Sequence, residues 1–588
     1  MGKAVRGPRR PSQRPGQHGP PHQQPHVKDE PMTGTSTPPL TMAVPEDTPR
    51  FSDLTSKNIV HPTIIETITQ DLGFDHMMPV QAASLEELLP PNRSDCLVQA
   101  KTGTGKTMAF LLPAIQNMLS QNRPKRDRGV SLLVVSPTRE LAMQIEREAK
   151  KVLQRFTDYK VCITIGGTNK SSESSRLSRG CDVLIATPGR LLDHMNDGTM
   201  EPLFRHVDTL VLDEADRLLD MGFMPDLKRI VAGLPDKQQS NRQGMLFSAT
   251  VPPRVQEVAG VVLGPGYKFI STIPEGEVNT HERVPQVLIT APSFSLTAAA
   301  MVGAIRDEMK VVAASEGSPA FKAIVFAPTA ALADFYGLIL SALSDIPSVS
   351  VLHSRISQSK RTKVTDEFRM AKAAVLCTTD VIARGMDFPD VTSVFQVGLP
   401  ADKETYIHRL GRTARAGAGG RGIFIVAEAE SWFPKWTLKE IKLQPQEPNF
   451  SATAEVTTIA ASMDEELMAK TYKAWLGYYK SFLKPMKWSA EDLVKEGNTF
   501  ASEGLQAPET PPIEKNIVGK MGLKGVRGLR VVPEEEVAGR LRTGTVKDKG
   551  KGKGKGKAKV KVRAVVREGV DEDVVVRTTV DEASNSSL

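Results

Sequence analysis

The stretch Ala100-Lys101-Thr102-Gly103-Thr104-Gly105-Lys106-Thr107 decides the reading of this chain. It follows a short apolar run, Cys96-Leu97-Val98, and leads into Met108-Ala109-Phe110-Leu111-Leu112, an apolar stretch able to start a helix. Strand, glycine-containing loop and helix N-terminus together form a phosphate cradle. Gly103 and Gly105 let backbone N–H groups approach an anion, and the helix end adds partial positive charge. In that cradle Ala100, Thr102 and Thr104 complete the loop, Lys106 reaches the β/γ-phosphates and Thr107 offers its hydroxyl to Mg2+. The first position of the usual pattern is glycine; here it is Ala100. Alone, the stretch would also serve as a plain joint between strand and helix, and the rest of the chain must decide.

With 588 residues there is room for several domains, each able to bury its own core. A hydrophobic content of 40% with 24% charged residues is that of a soluble globular protein whose polar ends lower the average. No apolar run reaches the length of a membrane span: the longest candidate, Ser295 to Ala314, is broken by Arg306, Asp307, Glu308 and Lys310. Cys96, Cys162, Cys181 and Cys377 have no metal-ligand spacing and sit in or beside apolar runs, so they read as buried free thiols in a reducing compartment or the mitochondrial matrix. The net charge of +8 favours a polyanion partner.

Residues 1–50 are rich in Pro, Gln, Gly and His and read as a disordered arm. Lys3, Arg6, Arg9, Arg10, Arg14 and Lys28 precede the first acid, Asp29, which suits a mitochondrial presequence; Pro8, Pro11, Pro15, Pro20 and Pro21 oppose the amphipathic helix such a signal needs. A weakly RNA-binding arm accounts for the same composition, and both readings stand. From 51 to 271 short apolar runs alternate with helix-like segments: Cys96–Val98, Leu132–Val135, Val161–Ile165, Val183–Ala186, Leu210–Leu212 and Met245–Phe247. A second series spans 285–440, after a polar joint at 272–284: Ala323–Phe326, Ser350–Leu352, Ala374–Cys377, Ser393–Val397 and Ile423–Val426. Continuous Val/Ile/Leu strands separated by helices predict two tandem α/β domains, each a parallel sheet covered on both faces, with ligands at the C-terminal strand ends.

After about Glu440 the strands are expected to stop. Residues 441–530 read as a helical extension, with a helix from Asp464 to Phe482 carrying Leu467, Thr471, Trp475, Tyr478 and Phe482 on one face. Trp432, Trp436, Trp475 and Trp488 all lie beyond the last predicted strand of the second series, Ile423–Val426, and packing into a small separate core is favoured over stacking on nucleic acid. Residues 531–588 read as a disordered tail, alternating Lys with Gly from Lys547 to Arg563, suited to contact with phosphate backbones.

Directly after the predicted strand Leu210–Leu212 come Asp213-Glu214-Ala215-Asp216. Acids at the end of a buried strand, downstream of a phosphate loop, are where an ATPase needs them: Asp213 to hold Mg2+ and Glu214 to polarise the attacking water. Here the chain resembles the DEAD-box RNA helicases of superfamily 2, over Phe51 to about Glu428. The resemblance implies two RecA-like domains, ATP and Mg2+ as ligands, and RNA as a partner bound without regard to sequence. Gly73-Phe74 with Pro79-Val80-Gln81 resembles the adenine-reading motif, in which Gln81 bonds the adenine edge and Phe51 stacks on the ring. Pro137-Thr138-Arg139, Gly166-Gly167 and Thr187-Pro188-Gly189-Arg190 resemble the RNA-backbone motifs, which assigns Pro137, Thr138, Arg139, Gly167, Thr187, Gly189 and Arg190 to RNA.

The second series continues the resemblance. Phe326-Ala327-Pro328-Thr329, Gln358-Ser359-Lys360-Arg361 and the segment from Thr379 to Asp387 assign Thr329, Arg361 and Thr379 to RNA, and Gly385 and Asp387 to the nucleotide. The run from Tyr406 to Arg415 resembles the arginine-finger motif, with Arg412 and Arg415 three apart and both aimed at the γ-phosphate. Ser248-Ala249-Thr250, with Asp216 and His408, is implied to couple hydrolysis to strand separation. Because Lys106, Thr107, Asp213 and Glu214 precede the joint and both arginines follow it, hydrolysis is expected to require closure of the two domains, which RNA would favour.

Lys101, the segment Val375–Val391 and the extension, ending in Ile513 to Leu523, resemble a fungal mitochondrial subfamily acting as general RNA chaperones on introns and other structured RNA. The expected protein is a monomeric, membrane-free helicase for short duplexes in the mitochondrial matrix, with nucleus or nucleolus as the alternative address. Two rival classes are an ATP-dependent RNA clamp that nucleates an assembly, and a DNA translocase on the same scaffold. Intact Ser248-Ala249-Thr250, Glu214, Arg412 and Arg415 speak against the clamp, and the Gln81 motif together with Asp213-Glu214-Ala215-Asp216 speaks for RNA.

Overall fold

The computed structural model describes residues 48–56, 59–101, 103–124, 129–198, 200–273, 284–315, 317, 319–382, 386, 388–414 and 419–533. Nearly all of the arm, most of the 272–284 joint and the tail after 533 lie outside these residues, as do Thr102, Gly385, Asp387 and Arg415.

Seven strands make the first sheet: β1 (Cys96–Gln99), β2 (Leu132–Val135), β3 (Val161–Thr164), β4 (Val183–Ala186), β5 (Thr209–Leu212), β6 (Gln243–Ser248) and β7 (Lys268–Ser271). Their order is β3-β4-β2-β5-β6-β1-β7 and every pairing is parallel. Alternate side chains feed two cores, as the period of a strand requires. Val98, Val134, Val211 and Met245 enter one apolar cluster, while Leu97, Leu133, Leu210 and Leu246 enter the other. Helices cross between strands on both faces, so loops collect at the C-terminal strand ends.

The second sheet contains β8 (Gln286–Ala291), β9 (Lys322–Phe326), β10 (Val349–Leu352), β11 (Ala374–Thr378), β12 (Ser393–Val397), β13 (Arg421–Ala427) and β14 (Gln444–Gln446). Its order, β10-β11-β9-β12-β13-β8-β14, repeats that of the first sheet position by position, again with parallel pairing throughout.

Five strands escaped the sequence reading. Two of them, β15 (Ile513–Glu514) and β16 (Val531–Val532), pair in parallel within the segments read as the helical extension and the disordered tail, so both readings are corrected there. β7 is a half-polar edge strand, and β8 abuts the polar joint. β14 carries Pro445, which an edge strand tolerates because no inner ladder bond is lost. It lies beyond Glu440, so the expectation that strands stop there is corrected: the second sheet reaches into the segment assigned to the extension.

The helix predicted from Asp464 forms over Glu465–Tyr479, capped by Asp464 accepting from the Leu467 N–H at 2.6 Å, and continues as a tighter turn through Lys480–Phe482. Its buried face is Met468, Thr471, Tyr472, Trp475, Leu476 and Tyr479, rotated from the expected one, with Leu467, Tyr478 and Phe482 only partly covered. These side chains share one apolar cluster with Ile289, Val325 and Phe395 of the second sheet, and no separate small core exists among the described residues. Trp475 meets Phe294 edge-on at 5.0 Å and stacks on Phe500 at 5.6 Å. Trp432 and Trp488 pack at the cluster margins, while Trp436 is 61% exposed.

Candidate functional site

The phosphate loop connects the C-terminal end of β1 to the helix Lys106–Ser120. Ala100 is tied to β6 by its N–H donating to the Ser248 carbonyl at 3.1 Å, and its own carbonyl accepts from Lys106 Nζ at 3.1 Å. Gly105 has φ +86°, in the left-handed region, and a Cβ there would lie 2.6 Å from Gln81 Nε2. Only glycine satisfies both the turn and this approach. Gln81 Nε2 donates to the Gly105 carbonyl at 3.1 Å and its Oε1 accepts from the Met78 N–H at 2.8 Å, so the glutamine is fastened to the loop. Gly103 (φ +78°) is exposed, Thr104 donates to the Lys101 carbonyl at 2.8 Å, and Thr107 stands partly exposed one residue into the helix. Phe51 is placed otherwise than expected. It is 1% exposed and belongs to the apolar core with Leu54 and Val60, so its ring offers no open face to a base.

Asp213 and Glu214 follow β5 directly and both are buried. Lys106 Nζ lies 3.4 Å from Glu214 Oε1, while Glu214 Oε2 is buried with no hydrogen-bond partner. Glu214 adopts φ +52°, a strained value for a side-chain-bearing residue, of the kind held in place at functional sites. Burial, and then the neighbouring Glu214 charge, push Asp213 up to about 7. Two adjacent buried carboxylates against one ammonium leave negative charge uncompensated. That donor set, beside a glycine loop and the Thr107 hydroxyl, fits a magnesium nucleotide. Asp216 joins β6 to this cluster: its N–H donates to Ser248 Oγ at 3.3 Å, and its carboxylate accepts from Thr250 Oγ1 at 2.9 Å. Ser248 Oγ donates in turn to the Thr250 carbonyl at 2.6 Å.

In the second sheet Arg412 is 1% exposed, with Nε donating to the His408 carbonyl at 3.3 Å and Nη1 to the Met386 carbonyl. His408 is buried in the helix Lys403–Leu410. Arg409 forms a forked pair with Asp380 at 2.6 and 3.0 Å, and the Asp380 carbonyl accepts from Arg217 Nη2 of the first domain at 3.4 Å. One chain of contacts thus runs from the helix after Glu214 to the helix Lys403–Leu410, and Arg412 sits in the turn just past its end and not on a helix as the motif suggested.

Three of the residues assigned to RNA meet at one place. Thr138, Thr329 and Thr379 line a single cleft with Arg217 and Arg355. Thr138 and Thr329 also cap the helices that follow them, accepting from Leu141 and Leu332 N–H groups at 3.3 and 3.2 Å. Arg139 lies over the glycine turn: a Cβ on Gly167 (φ +83°) would stand 2.4 Å from Arg139 Nη1. Burial, and then the nearby Arg361 charge, hold Arg139 below its ordinary value, against the pull of the Glu140 carboxylate. Pro137 and Thr187 are buried at the strand ends, whereas Gly189 is exposed with open space around it. Arg190 is engaged by Glu173 at 2.9 Å and the Thr168 carbonyl at 3.1 Å.

Arg361 is placed differently from its assignment. It is 3% exposed and donates to Glu140 Oε2 at 2.5 Å across the domain boundary, where Gln358 also meets Glu140 at 3.2 Å and Arg139 at 3.2 Å. Arg147 and Asp366 add a further cross-domain pair at 2.9 Å. Glu140, Gln358, Glu173 and Asp380 went unassigned in the sequence. Glu140 and Gln358 meet partners in the other domain, and no local pattern marks a carboxylate that will be buried against an arginine 221 residues on.

Residues 78–258 match the DEAD/DEAH box helicase family and residues 304–417 match the helicase conserved C-terminal domain. The chain is 44% identical over 489 residues to the ATP-dependent RNA helicase MSS116, mitochondrial, of Phaeosphaeria nodorum, covering 82% of this chain and 86% of that one. It is 41% identical over 478 residues to the ATP-dependent RNA helicase mss116, mitochondrial, of Aspergillus oryzae, covering 80% and 74%. The structure of Mss116p without its NTE and C-tail, bound to ssRNA and AMP-PNP, is similar with a TM-score of 0.73 at 30% identity, over 83% of this chain and 98% of that one.

Proposed function

The chain belongs to the DEAD-box ATP-dependent RNA helicases, and from that premise we propose how its own residues divide the work of separating short RNA duplexes. One observation carries the reading: a buried Asp213–Glu214 pair with an unpartnered Glu214 Oε2 faces Lys106 of a glycine phosphate loop. Magnesium ATP, when bound, supplies the electrophilic γ-phosphorus. Gly103, Thr104 and Gly105 present backbone N–H groups to its phosphates, Ala100 fixes the start of the loop against β6, and Gln81, already fixed to Gly105, reads the base. Thr107 and Asp213 would hold the magnesium that accompanies it. Glu214 Oε2 orients the attacking water and takes its proton. Lys106 from one domain and Arg412 from the other neutralise developing charge, so neither domain suffices alone.

Arg139, Thr138, Gly167, Thr187, Gly189 and Arg190 of the first domain, with Thr329 and Thr379 of the second, present hydroxyl, guanidinium and backbone donors to one RNA strand. Arg361 acts there through Glu140, by holding the domains in register. The Ser248–Asp216–Thr250 network reports the state of the acids to that track. RNA bound across both domains favours their apposition, and by linkage ATP tightens RNA binding. The segments 51–271 and 285–440 are the two working units, with β14 added to the second, and 441–530 braces the second unit. As in the mitochondrial relatives, we place the protein in that organelle.

The test is strand displacement from a short RNA duplex. The native chain separates it only with ATP. Glu214→Gln binds ATP and RNA yet releases product at most once per chain. ATP-independent displacement, or full turnover by Glu214→Gln, would refute this division of roles.

A further inference from the structure

One buried carboxylate behind the RNA-facing loops of the first domain takes no part in the chemistry at the phosphate loop. Glu173 lies on the helix Lys170–Leu177, which follows the Gly166-Gly167 turn and is capped by Asn169 accepting from the Ser172 N–H at 3.0 Å. The glutamate is 1% exposed and gathers donors from two loops. Its Oε1 accepts from the Ile165 N–H at 3.3 Å and meets the Thr168 hydroxyl, so it holds the chain on both sides of the glycines. Its Oε2 accepts from Arg190 Nη1 and from His194 Nε2, each at 2.9 Å.

Arg190 and His194 are four residues apart on the helix Pro188–Met195 and project from one face of it. His194 is fully buried and its Nδ1 has no hydrogen-bond partner among the described residues, which leaves Glu173 as the group that fixes the ring. Arg190 makes a second tie to the glycine turn, donating through Nη2 to the Thr168 carbonyl at 3.1 Å. Burial pushes the Glu173 carboxyl up, yet the bonds from His194, Thr168 and Ile165, and then the Arg190 charge, outweigh it and hold the carboxyl below its ordinary value. Glu173 is therefore an anion that can only accept, and its charge offsets that of Arg190, whose side chain is 12% exposed. The turn it fixes lies under the Arg139 guanidinium, which bonds Gln358 of the second domain at 3.2 Å.

We propose that Glu173 is a positioning residue for RNA: it orients Arg190 directly, steadies the turn beneath Arg139, and touches no RNA itself, a role that rests on the RNA-facing reading of both arginines. The ligand these arginines grip is the sugar–phosphate backbone of one strand, to which a guanidinium must present its N–H fork at a fixed angle. Three strands, β2, β5 and β6, separate β4 from β1 and the phosphate loop. Glu173 thus governs how tightly RNA binds and leaves ATP binding and the hydrolytic step alone.

ATP hydrolysis by the full chain, titrated with single-stranded RNA at saturating ATP, separates this role from a purely structural one. Glu173→Gln keeps the volume but sets an amide donor against donors. The RNA concentration for half-maximal hydrolysis is expected to rise about tenfold, the loss of one charge-assisted contact. Turnover at saturating RNA and the KM for ATP are expected to match the native chain. Arg190→Gln is expected to give a rise of the same order, and the double variant to fall well short of the product of the two single effects. Thr168→Val removes one hydroxyl from the turn without altering any charge, and a rise of about threefold is expected whether or not the glutamine variant folds.

Native half-saturation by RNA in folded Glu173→Gln or in Thr168→Val overturns the proposal. So does a double variant that shows the full product, or a loss of turnover and ATP affinity in Glu173→Gln that matches the loss in RNA binding. Native half-saturation in Arg190→Gln removes the RNA assignment of Arg190, and this role with it, so the two failures are told apart.

Discussion

The two sheets share one strand order, yet the same three strand ends serve opposite purposes. In the first sheet, β1, β5 and β6 end in the phosphate loop, the Asp213–Glu214 pair and Ser248-Ala249-Thr250. Their counterparts in the second sheet, β8, β12 and β13, end in Phe294, Leu399 and Glu430, and all three are sealed by the helix Glu465–Tyr479. Phe294 lies 4.8 Å from the Tyr479 ring, the Leu399 carbonyl accepts from Tyr478 at 2.7 Å, and Glu430 accepts from Tyr479 at 2.7 Å. A crevice that the topology creates twice is left open for an anion once and packed with aromatics the other time.

The contrast breaks most sharply at Glu214. Glu214→Gln keeps the shape of the open crevice but removes the proton acceptor, and RNA-stimulated ATP turnover should fall on the order of 10²–10⁴-fold with ATP affinity retained. On the sealed side the corresponding probe is Trp475→Ala. Loss of a fully buried indole should cost about 3–5 kcal/mol. Because its cluster contains both the sheet and the extension, thermal unfolding should show them melting together at a lower temperature, with the first domain's transition unmoved.

The seam between the domains ranks next. Arg361→Ala leaves Glu140 buried and unpaired, a cost on the order of 3 kcal/mol when the domains are apposed. RNA affinity in the presence of ATP should weaken, and Glu140→Gln combined with it should recover part of the loss, which a double-mutant cycle of binding measures. The smallest effect belongs to Glu430. Burial pushes it up to about 7 from an ordinary 4.5, although Tyr479 and the Ala427 and Leu399 N–H groups pull the other way. A carboxyl with a raised folded-state value gives its full stabilisation below about pH 4.5 and loses it as pH rises through about 7. Stability of the sealed domain should therefore decline by about 1–3 kcal/mol across that window. Calorimetry of Glu430→Gln, which keeps an acceptor but cannot ionise, should show the slope removed.

What the sequence revealed follows from how local each feature is. Val134, Ile185 and Val211 sit in unbroken apolar runs, and Lys106, Asp213 and Arg412 sit in motifs whose meaning is carried by a few adjacent residues. The parallel sheets and the place of the candidate site at their strand ends were therefore legible. Pro445 hid an edge strand, because a proline excludes only inner positions of a sheet. The buried face of Glu465–Tyr479 was misread by about one residue's rotation, since the second sheet, and not the helix's own periodicity, selects Tyr472 and Tyr479 over Tyr478 and Phe482. Phe51 was assigned by motif and is claimed by the core instead. Arg361 read as an exposed RNA contact, for nothing within its own helix announces Glu140.

The central claim is that one crevice binds ATP and that RNA across both domains makes it work. Steady-state ATP hydrolysis by the purified reduced chain, titrated with single-stranded RNA and with DNA of the same sequence, tests it most directly. The account predicts little hydrolysis alone, strong stimulation by RNA and none by DNA, all abolished by Glu214→Gln. Equal stimulation by DNA, or hydrolysis indifferent to RNA, would contradict it.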